Sequence, residues 1–398
     1  MKTVQEIIEE KMCCGCGACA SVCPTNCIEF IQGKYVNYPS VNIDKCINCS
    51  LCLRICPGRK NKERLLEANK IKLEDEIVRN LVSYSTDDNI RIDSASGGVI
   101  TTIAIELLRN NYIDSVVTIS GNEKNALLND VNIVKTIDEI IKSQGSRYSP
   151  SSNCLSINEI IKNEKYKKVL FIGKPCDIEA VNEYEKINKR FKEKIALKLS
   201  IMCHHSPTRK ALIKLINDND LNKDDIKTIK FRGGGWPGYF KIEGNNNEVL
   251  RKTYFDAWGN YLSRDENVKC MYCENPFPKE ADIIVGDPWG EEYKNERKGK
   301  SLLIIRSERG NSFIKELEQN EKLISNEVTY DDVKRYQKNL LKRYDEFYLI
   351  ALLYKRIHGY KINNNDYRNV LKENPKNILR YFKNLNKYKV IYKEWKYE

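Results

Sequence analysis

Two copies of one cysteine pattern, Cys13-x2-Cys16-x2-Cys19-x3-Cys23-Pro24 and Cys46-x2-Cys49-x2-Cys52-x3-Cys56-Pro57, constrain this chain more than any other feature of its 398 residues. Three thiolates at this spacing wrap one inorganic cube from a tight loop, while the fourth, carried off by its proline, reaches a neighbouring cube. The pattern assigns Cys13, Cys16, Cys19 and Cys56 to one 4Fe-4S cluster, and Cys46, Cys49, Cys52 and Cys23 to another. Zinc is the competing reading, but zinc commonly uses pairs of CxxC, and two complete runs each closed by Cys-Pro point to iron–sulfur cubes. Cys14 and Cys27 are left over and read as buried thiols, not ligands.

A chain of this length can bury a large core without covalent staples, so the cysteines need another explanation. Ten of the fifteen lie between residues 13 and 56; Cys154, Cys176, Cys203, Cys270 and Cys273 are scattered through the remainder. Disulfides suit small secreted chains, whereas this one opens MKTVQEIIEE without an apolar signal segment. It also has no apolar run of the roughly 18 residues needed to cross a bilayer. Reduced thiols in a cytoplasmic protein that does not span a membrane are therefore expected, and they serve as metal ligands before they serve as bridges. The formal charge is +12, which taken alone suggests nucleic acid. Each cluster with its four thiolates adds roughly −2 to that count, so three clusters bring it to about +6. The surplus is spread along the sequence with no helix-turn-helix, zinc-finger or RNP-type pattern, and nucleic-acid binding is set aside.

The expected organisation is mixed, α+β at the front and α/β beyond. Residues 1–60 form a two-cluster domain of the bacterial ferredoxin type, opened by a short helix over 1–12, and the charged stretch 61–80 reads as a connecting helix. From 81 to 330, helical periods alternate with the apolar runs DSVVTIS, KKVLFIG, KIALKLSIM, IKTIKF, ADIIVG and LLIIRS, the pattern of a mixed α/β domain. FRGGGWPGYF (231–240) and FDAWGN (255–260) interrupt that pattern and are expected to be loops. Residues 331–398 read as a helical extension, rich in Tyr and Lys, whose aromatics suit packing or contacts in a homo-oligomer.

Several segments of the large domain carry residue types suited to cofactor chemistry. Ser96-Gly97-Gly98 precedes a helix, where free N–H groups and small side chains suit a pyrophosphate; an ordinary serine cap explains it equally, since this is not GxGxxG. Gln144, Ser146, Arg147 and Tyr148 form a polar, cationic segment, or simply a solvated loop. Three glycines at 233–235 suit a close backbone approach, and Trp236 suits closure over an aromatic cofactor, against the alternative of a glycine-rich hairpin with a core tryptophan. Arg232 is a candidate anion contact or a surface arginine. His204 and His205 point in different directions, so at most one is expected to face the chemistry, as ligand or proton donor. Lys174, at a strand end, is a candidate for holding negative charge or a solvated lysine. Cys176 and Cys203 follow strands, where convergent loops build sites, and Cys270 with Cys273 adds a CxxC; zinc half-site, redox pair and core thiols are the alternatives.

In their shared order, the cysteine runs, SASGGVITTIA (94–104), QGSRYSPS (144–151), FIGKPCDIEAV (171–181), MCHHSP (202–207), FRGGGWPGY (231–239) and CMYCENPFPKEADIIVGDPWG (270–290) resemble the family of the beta subunit of coenzyme F-420 (deazaflavin) hydrogenase/dehydrogenase, over roughly residues 10–310. The resemblance implies an FAD-binding domain, with Ser96, Gly97, Gly98, Gln144, Ser146, Arg147, Tyr148, Gly286, Asp287 and Trp289 about the flavin. Pro288 replaces the aromatic of the family's GDFWG. It implies a third 4Fe-4S cluster on Cys176, Cys203, Cys270 and Cys273, with Lys174, His204, Arg232 and Trp236 as catalytic candidates. The implied chemistry joins a two-electron partner, foremost the reduced deazaflavin coenzyme, to one-electron carriers through FAD and clusters. The alternatives are a ferredoxin-dependent reductase of another small organic substrate and an electron-transfer subunit of a larger hydrogenase or dehydrogenase. The expected partners are thus ferredoxin or a redox-enzyme subunit, and a small-molecule hydride donor or acceptor.

Overall fold

The computed structural model of the chain describes residues 3–245 and 247–397; Met1 and Lys2, in the expected first helix, and Glu398, in the expected extension, lie outside the described residues. The first helix is shorter than its pattern, Gln5–Glu9, and buries Ile7. The two cysteine runs then fold alike. Each turns through two left-handed residues, Gly15 and Gly17 (φ 72° and 86°) in the first and Asn48 and Ser50 (57° and 56°) in the second. Each continues into a four-residue helix, Ala18–Ser21 and Leu51–Arg54. A Cβ on Gly15 would stand 2.8 Å from the Asn37 carbonyl, so only glycine fits there. Between the runs, β1 (Ile28–Gln32) and β2 (Asn37–Val41) form an antiparallel hairpin.

The connecting helix begins earlier than expected. Pro57, which closes the second run, opens Pro57–Glu67, because a proline at the first helical turn forfeits no hydrogen bond. The helix ends at Ala68 in the left-handed region, and the end of the charged stretch already enters β3 (Arg79–Ser85), whose Leu81, Val82 and Ser83 are buried.

The large domain is built on an eight-stranded sheet. β3 is joined by β4 (Ser115–Gly121), β5 (Asn129–Val134), β6 (Val169–Gly173) and β7 (Ile195–Ile201). β8 (Thr228–Lys230), β9 (Tyr239–Glu243) and β10 (Glu248–Thr253) form a separate antiparallel sheet. β11 (Ile283–Gly286), β12 (Ser301–Ile305) and β13 (Leu323–Glu327) return to the main sheet, whose order is β13-β3-β12-β11-β7-β6-β4-β5. The pairs β11–β7, β7–β6 and β6–β4 are parallel and the remaining pairs of this sheet antiparallel. Their continuous apolar runs follow from burial on both faces. Val117, Phe171, Ile284 and Leu302 pack on one side, and Val116, Leu170, Ile283 and Leu303 on the other. Parallel strands end together, so the residues after β6, β7 and β11 converge on one edge of the sheet.

FDAWGN is helical, against expectation: Thr253 accepts the Asp256 N–H (3.2 Å), and Tyr254–Ala257 continues into a π-helical turn at Trp258–Leu262. Burial of Tyr254, Ala257 and Leu262 outweighs the glycine in between. The extension folds into helices Tyr330–Tyr336, Lys338–Asp345, Phe347–Ile357, Asn364–Glu373 and Asn377–Glu394. Its apolar helix, Phe347–Ile357, returns to the N-terminal domain, where Phe347, Ile350 and Tyr354 share a core with Ile7, Leu65 and Tyr272. Among the described residues no helix is long and apolar enough to cross a membrane.

Candidate redox centres

The N-terminal domain encloses two cavities. Cys13, Cys16, Cys19 and Cys56 line the first, with Val4, Ile7, Phe30 and Pro57 as its apolar wall. Cys23, Cys46, Cys49 and Cys52 line the second, joined by Cys27, whose Sγ lies 3.3 Å from that of Cys23. Each run thus contributes three cysteines to its own cavity and one to the other. In the first cavity the Gly15 N–H donates to Cys13 Sγ (3.4 Å). Burial pushes the Cys13 thiol up to about 12 and the Cys56 thiol to about 11, with neighbouring sulfurs adding to it. Bare thiolates are costly there, and a metal in place of the proton removes that cost. In the second cavity Cys49 is exposed.

A third group of cysteines lies at the edge where the parallel strands end. Cys176 is the second residue of the helix Pro175–Glu185 that follows β6, Cys203 follows β7, and Cys270 and Cys273 belong to the 3-10 turn Val268–Tyr272 and its end. Burial raises the Cys203 thiol, and after burial the causes are Cys270, Cys176 and Cys273. Cys270 Sγ accepts the Ser206 N–H (3.4 Å). Lys269 is 3% exposed, and among the described residues no carboxylate forms an ion pair with it. Burial works against its charge, and the groups that sustain it are Cys273, Cys176, Cys14 and Cys270. A buried ammonium surrounded by sulfur fits an anionic thiolate–metal centre.

Cys14, unassigned by spacing, lines the first cavity and has both Cys16 and Cys176 as neighbours, and so lies between the first group and the third. Cys154 is fully buried beside Cys16, donating its N–H to the Cys16 carbonyl (3.1 Å) and its thiol to the Asp177 carbonyl (3.6 Å). The ammonium of Lys174 is engaged by Ser151 (2.8 and 3.0 Å) and Asp177 (3.0 Å). Burial opposes that charge, and Asp177 together with Cys176 and Cys14 outweighs it, raising the lysine above its usual range. The Nδ1 atoms of His204 and His205 are 2.6 Å apart, and His205 stacks on Trp258 at 5.1 Å. Burial, then the Arg343 charge, lowers them to about 3 and about 4, so both rings are neutral near pH 7.

The flavin candidates form one connected set. Gly98 (φ 75°) begins the helix Val99–Arg109 with no side-chain cap, which leaves its first N–H groups free of one. Gly97 is packed against backbone: a Cβ there would meet Ser83 O and Ser301 N, each at 2.7 Å. Ser96 Oγ donates to the Lys300 carbonyl (2.7 Å), beside Gly299, and a Cβ on Gly299 would lie 3.4 Å from that of Trp236. Trp236 Nε1 donates to Asp287 (2.7 Å), and Arg232 grips the same carboxylate with two bonds of 2.7 and 3.2 Å. Arg232 is therefore neither a surface arginine nor a free anion contact; its charge is held by Asp287, beneath Tyr254 and Trp289, whose rings stack at 5.6 Å. Arg232 Nη1 also reaches the Tyr148 hydroxyl (3.5 Å). Arg147 lies against Gly121 at the end of β4 and donates to the Ile229 carbonyl (3.1 Å), with no carboxylate partner among the described residues. Gln144 keeps a buried Oε1 without a partner, and Ser146 is half-buried beside it. A free helix start, an arginine without a carboxylate and an unsatisfied amide suit a nucleotide with a pyrophosphate. Gly286 packs on Met202, next to Cys203, so this set adjoins the third cysteine group. No spacing or motif singles out Lys269, Tyr254 or Trp258, which enter the site only through the fold.

Comparison with known proteins identifies the family of the chain and its N-terminal domain. Residues 12–59 match the 4Fe-4S dicluster domain, and residues 81–158 and 166–330 match the N-terminal and C-terminal parts of the coenzyme F420 hydrogenase/dehydrogenase beta subunit. A subunit of the F(420)H(2) dehydrogenase of Methanosarcina mazei is 24% identical over 78% of this chain and 83% of its own length. The coenzyme F420-dependent sulfite reductase of Methanocaldococcus jannaschii is 23% identical over 86% of this chain but 51% of its own. A chain of the F420-reducing NiFe hydrogenase complex from Methanosarcina barkeri shares the fold, with a TM-score of 0.57 at 18% identity, over 74% of this chain and 98% of that one. The chain belongs to the family of the coenzyme F420 hydrogenase/dehydrogenase beta subunit and carries a 4Fe-4S dicluster domain at its N-terminal end.

Proposed function

We propose that this iron–sulfur oxidoreductase acts as the electron-transfer subunit of a larger hydrogenase- or dehydrogenase-type assembly, with three 4Fe-4S clusters and FAD. Cys13, Cys16, Cys19 and Cys56 hold the first cluster, Cys23, Cys46, Cys49 and Cys52 the second, and Cys176, Cys203, Cys270 and Cys273 the third. The observation that carries the third is Lys269, a buried ammonium whose charge is sustained by sulfur and which has no carboxylate ion pair among the described residues. FAD, when bound, supplies the exchange between electron pairs and single electrons. The chain's own residues hold and enclose it: the N–H groups after Gly98 and the Arg147 guanidinium receive its phosphates. The Arg232–Asp287–Trp236 bonds fix the wall formed by Tyr254 and Trp289. Cys14, between Cys16 and Cys176, supports a path from the third cluster to the first.

Anaerobic purification with iron, sulfide and FAD measured together tests this reading, with about twelve irons expected per chain. Two cubes without flavin would reduce the chain to a carrier. The variant Cys270→Ser/Cys273→Ser is expected to lose about four irons and keep its FAD; iron equal to the parent's would overturn the third cluster. A second reading, oxidation of the reduced deazaflavin coenzyme by this chain itself, is favoured by relatives named for coenzyme F420. Anaerobic mixing with that coenzyme decides it, since the reading requires the bound flavin to bleach.

A further inference from the structure

Tyr397, in the C-terminal extension, lies on Cys13 of the first cysteine site. The Tyr397 hydroxyl accepts the Cys13 N–H (3.2 Å), across 384 positions of sequence, and its ring stands 5.5 Å from that of Tyr38 on β2. The hydroxyl is also near enough to Cys14 and Cys56 to feel their charge. The approach is anchored upstream: the Lys11 ammonium bonds the Tyr392 carbonyl and lies 4.5 Å from its ring centre, and Tyr354 and Tyr360 donate to Glu10 (3.0 and 2.9 Å). The second site has no such cover among the described residues; its Cys49 is exposed and Ile47 is 62% exposed. These tail residues lie beyond 330, where the matches to the family end.

We propose that Tyr397 is a positioning residue that covers Cys13 and fixes its loop, leaving the second site, with its exposed Cys49, without such a cover. The proposal rests on the cluster assignment above. It predicts that, in anaerobic protein, a chelator removes iron from the second site first in the parent. In Tyr397→Ala, or in a chain ending at Glu394, release from the first site should quicken about tenfold, with the second-site rate and the melting temperature unchanged. Tyr397→Phe, which keeps the ring, should restore most of the protection. Cys13 alkylation followed by mass spectrometry reads the same cover without iron: Cys49 labels rapidly in every variant, Cys13 only where the ring is lost. Iron-free parent protein would overturn the cluster assignment, whereas equal Cys13 labelling in parent and Tyr397→Ala would overturn the cover.

Discussion

Arg64 offers the sharpest test of how the N-terminal domain is held against the large one. From the helix Pro57–Glu67, it bonds Glu179 (2.6 Å) on the helix that carries Cys176, and Glu274 directly after Cys273; the two carboxylates are 8% and 1% exposed. Burial opposes the guanidinium's charge, and Glu274 and Glu179 together hold it on. In Arg64→Met the stem is kept and two buried carboxylates lose their counter-charge. One of them is expected to take up a proton, and neutralising an ordinary carboxyl of about 4.3 at pH 7 costs about 3.7 kcal/mol at about 1.36 per pH unit. This agrees with the about 3–5 kcal/mol found when one partner of a buried pair is removed. The proton is bound in the folded variant and not in its unfolded chain, so the deficit should shrink as pH falls, to about 1.6 kcal/mol at pH 5.5. Anaerobic urea unfolding followed by circular dichroism at both pH values measures it. A deficit below about 1 kcal/mol at pH 7, or one indifferent to pH, refutes the reasoning.

Two further substitutions address other parts of the molecule. Gly97→Ala forces a Cβ onto the Ser83 and Ser301 backbones, each 2.7 Å away, and should cost about 1–3 kcal/mol in thermal unfolding and weaken the proposed FAD binding. His358 sits 4.1 Å from the Tyr354 ring and 4.5 Å from that of Tyr392, with Nε2 buried and unpartnered, and burial lowers it to about 4. A base depressed in this way contributes stability that is full above its unfolded value of about 6.5 and is lost as pH falls toward 4, about 3 kcal/mol in all. His358→Phe should remove that slope in parallel urea titrations.

What was legible in the sequence was set by covalent reach. A thiol can be separated from the next ligand by only two or three residues if one loop is to wrap a cube, and each residue spans at most about 3.6 Å, so the spacing of Cys13, Cys16 and Cys19 carries the geometry of a site. The same local logic reads the parallel strands from their apolar runs and places Cys176 and Cys203 at strand ends. It fails at FDAWGN, where burial of Tyr254 and Leu262 overrides a glycine's preference. It also leaves Arg232 ambiguous between an exposed and a liganding role, although Asp287 holds it.

Tertiary structure alone decided the rest. The parallel pairing of β6 and β7 brings Cys176 and Cys203 to one edge, and there the Ser206 N–H meets Cys270 Sγ and Lys269 has its sulfur neighbours. Cys14 and Cys13 are adjacent in sequence, yet Cys14 faces Cys176 while Cys13 meets Tyr397 from the far end of the chain. Such contacts join residues hundreds of positions apart, and no spacing encodes them. They exist because the whole chain buries its apolar surface in one particular way, which the pattern of any single segment does not specify.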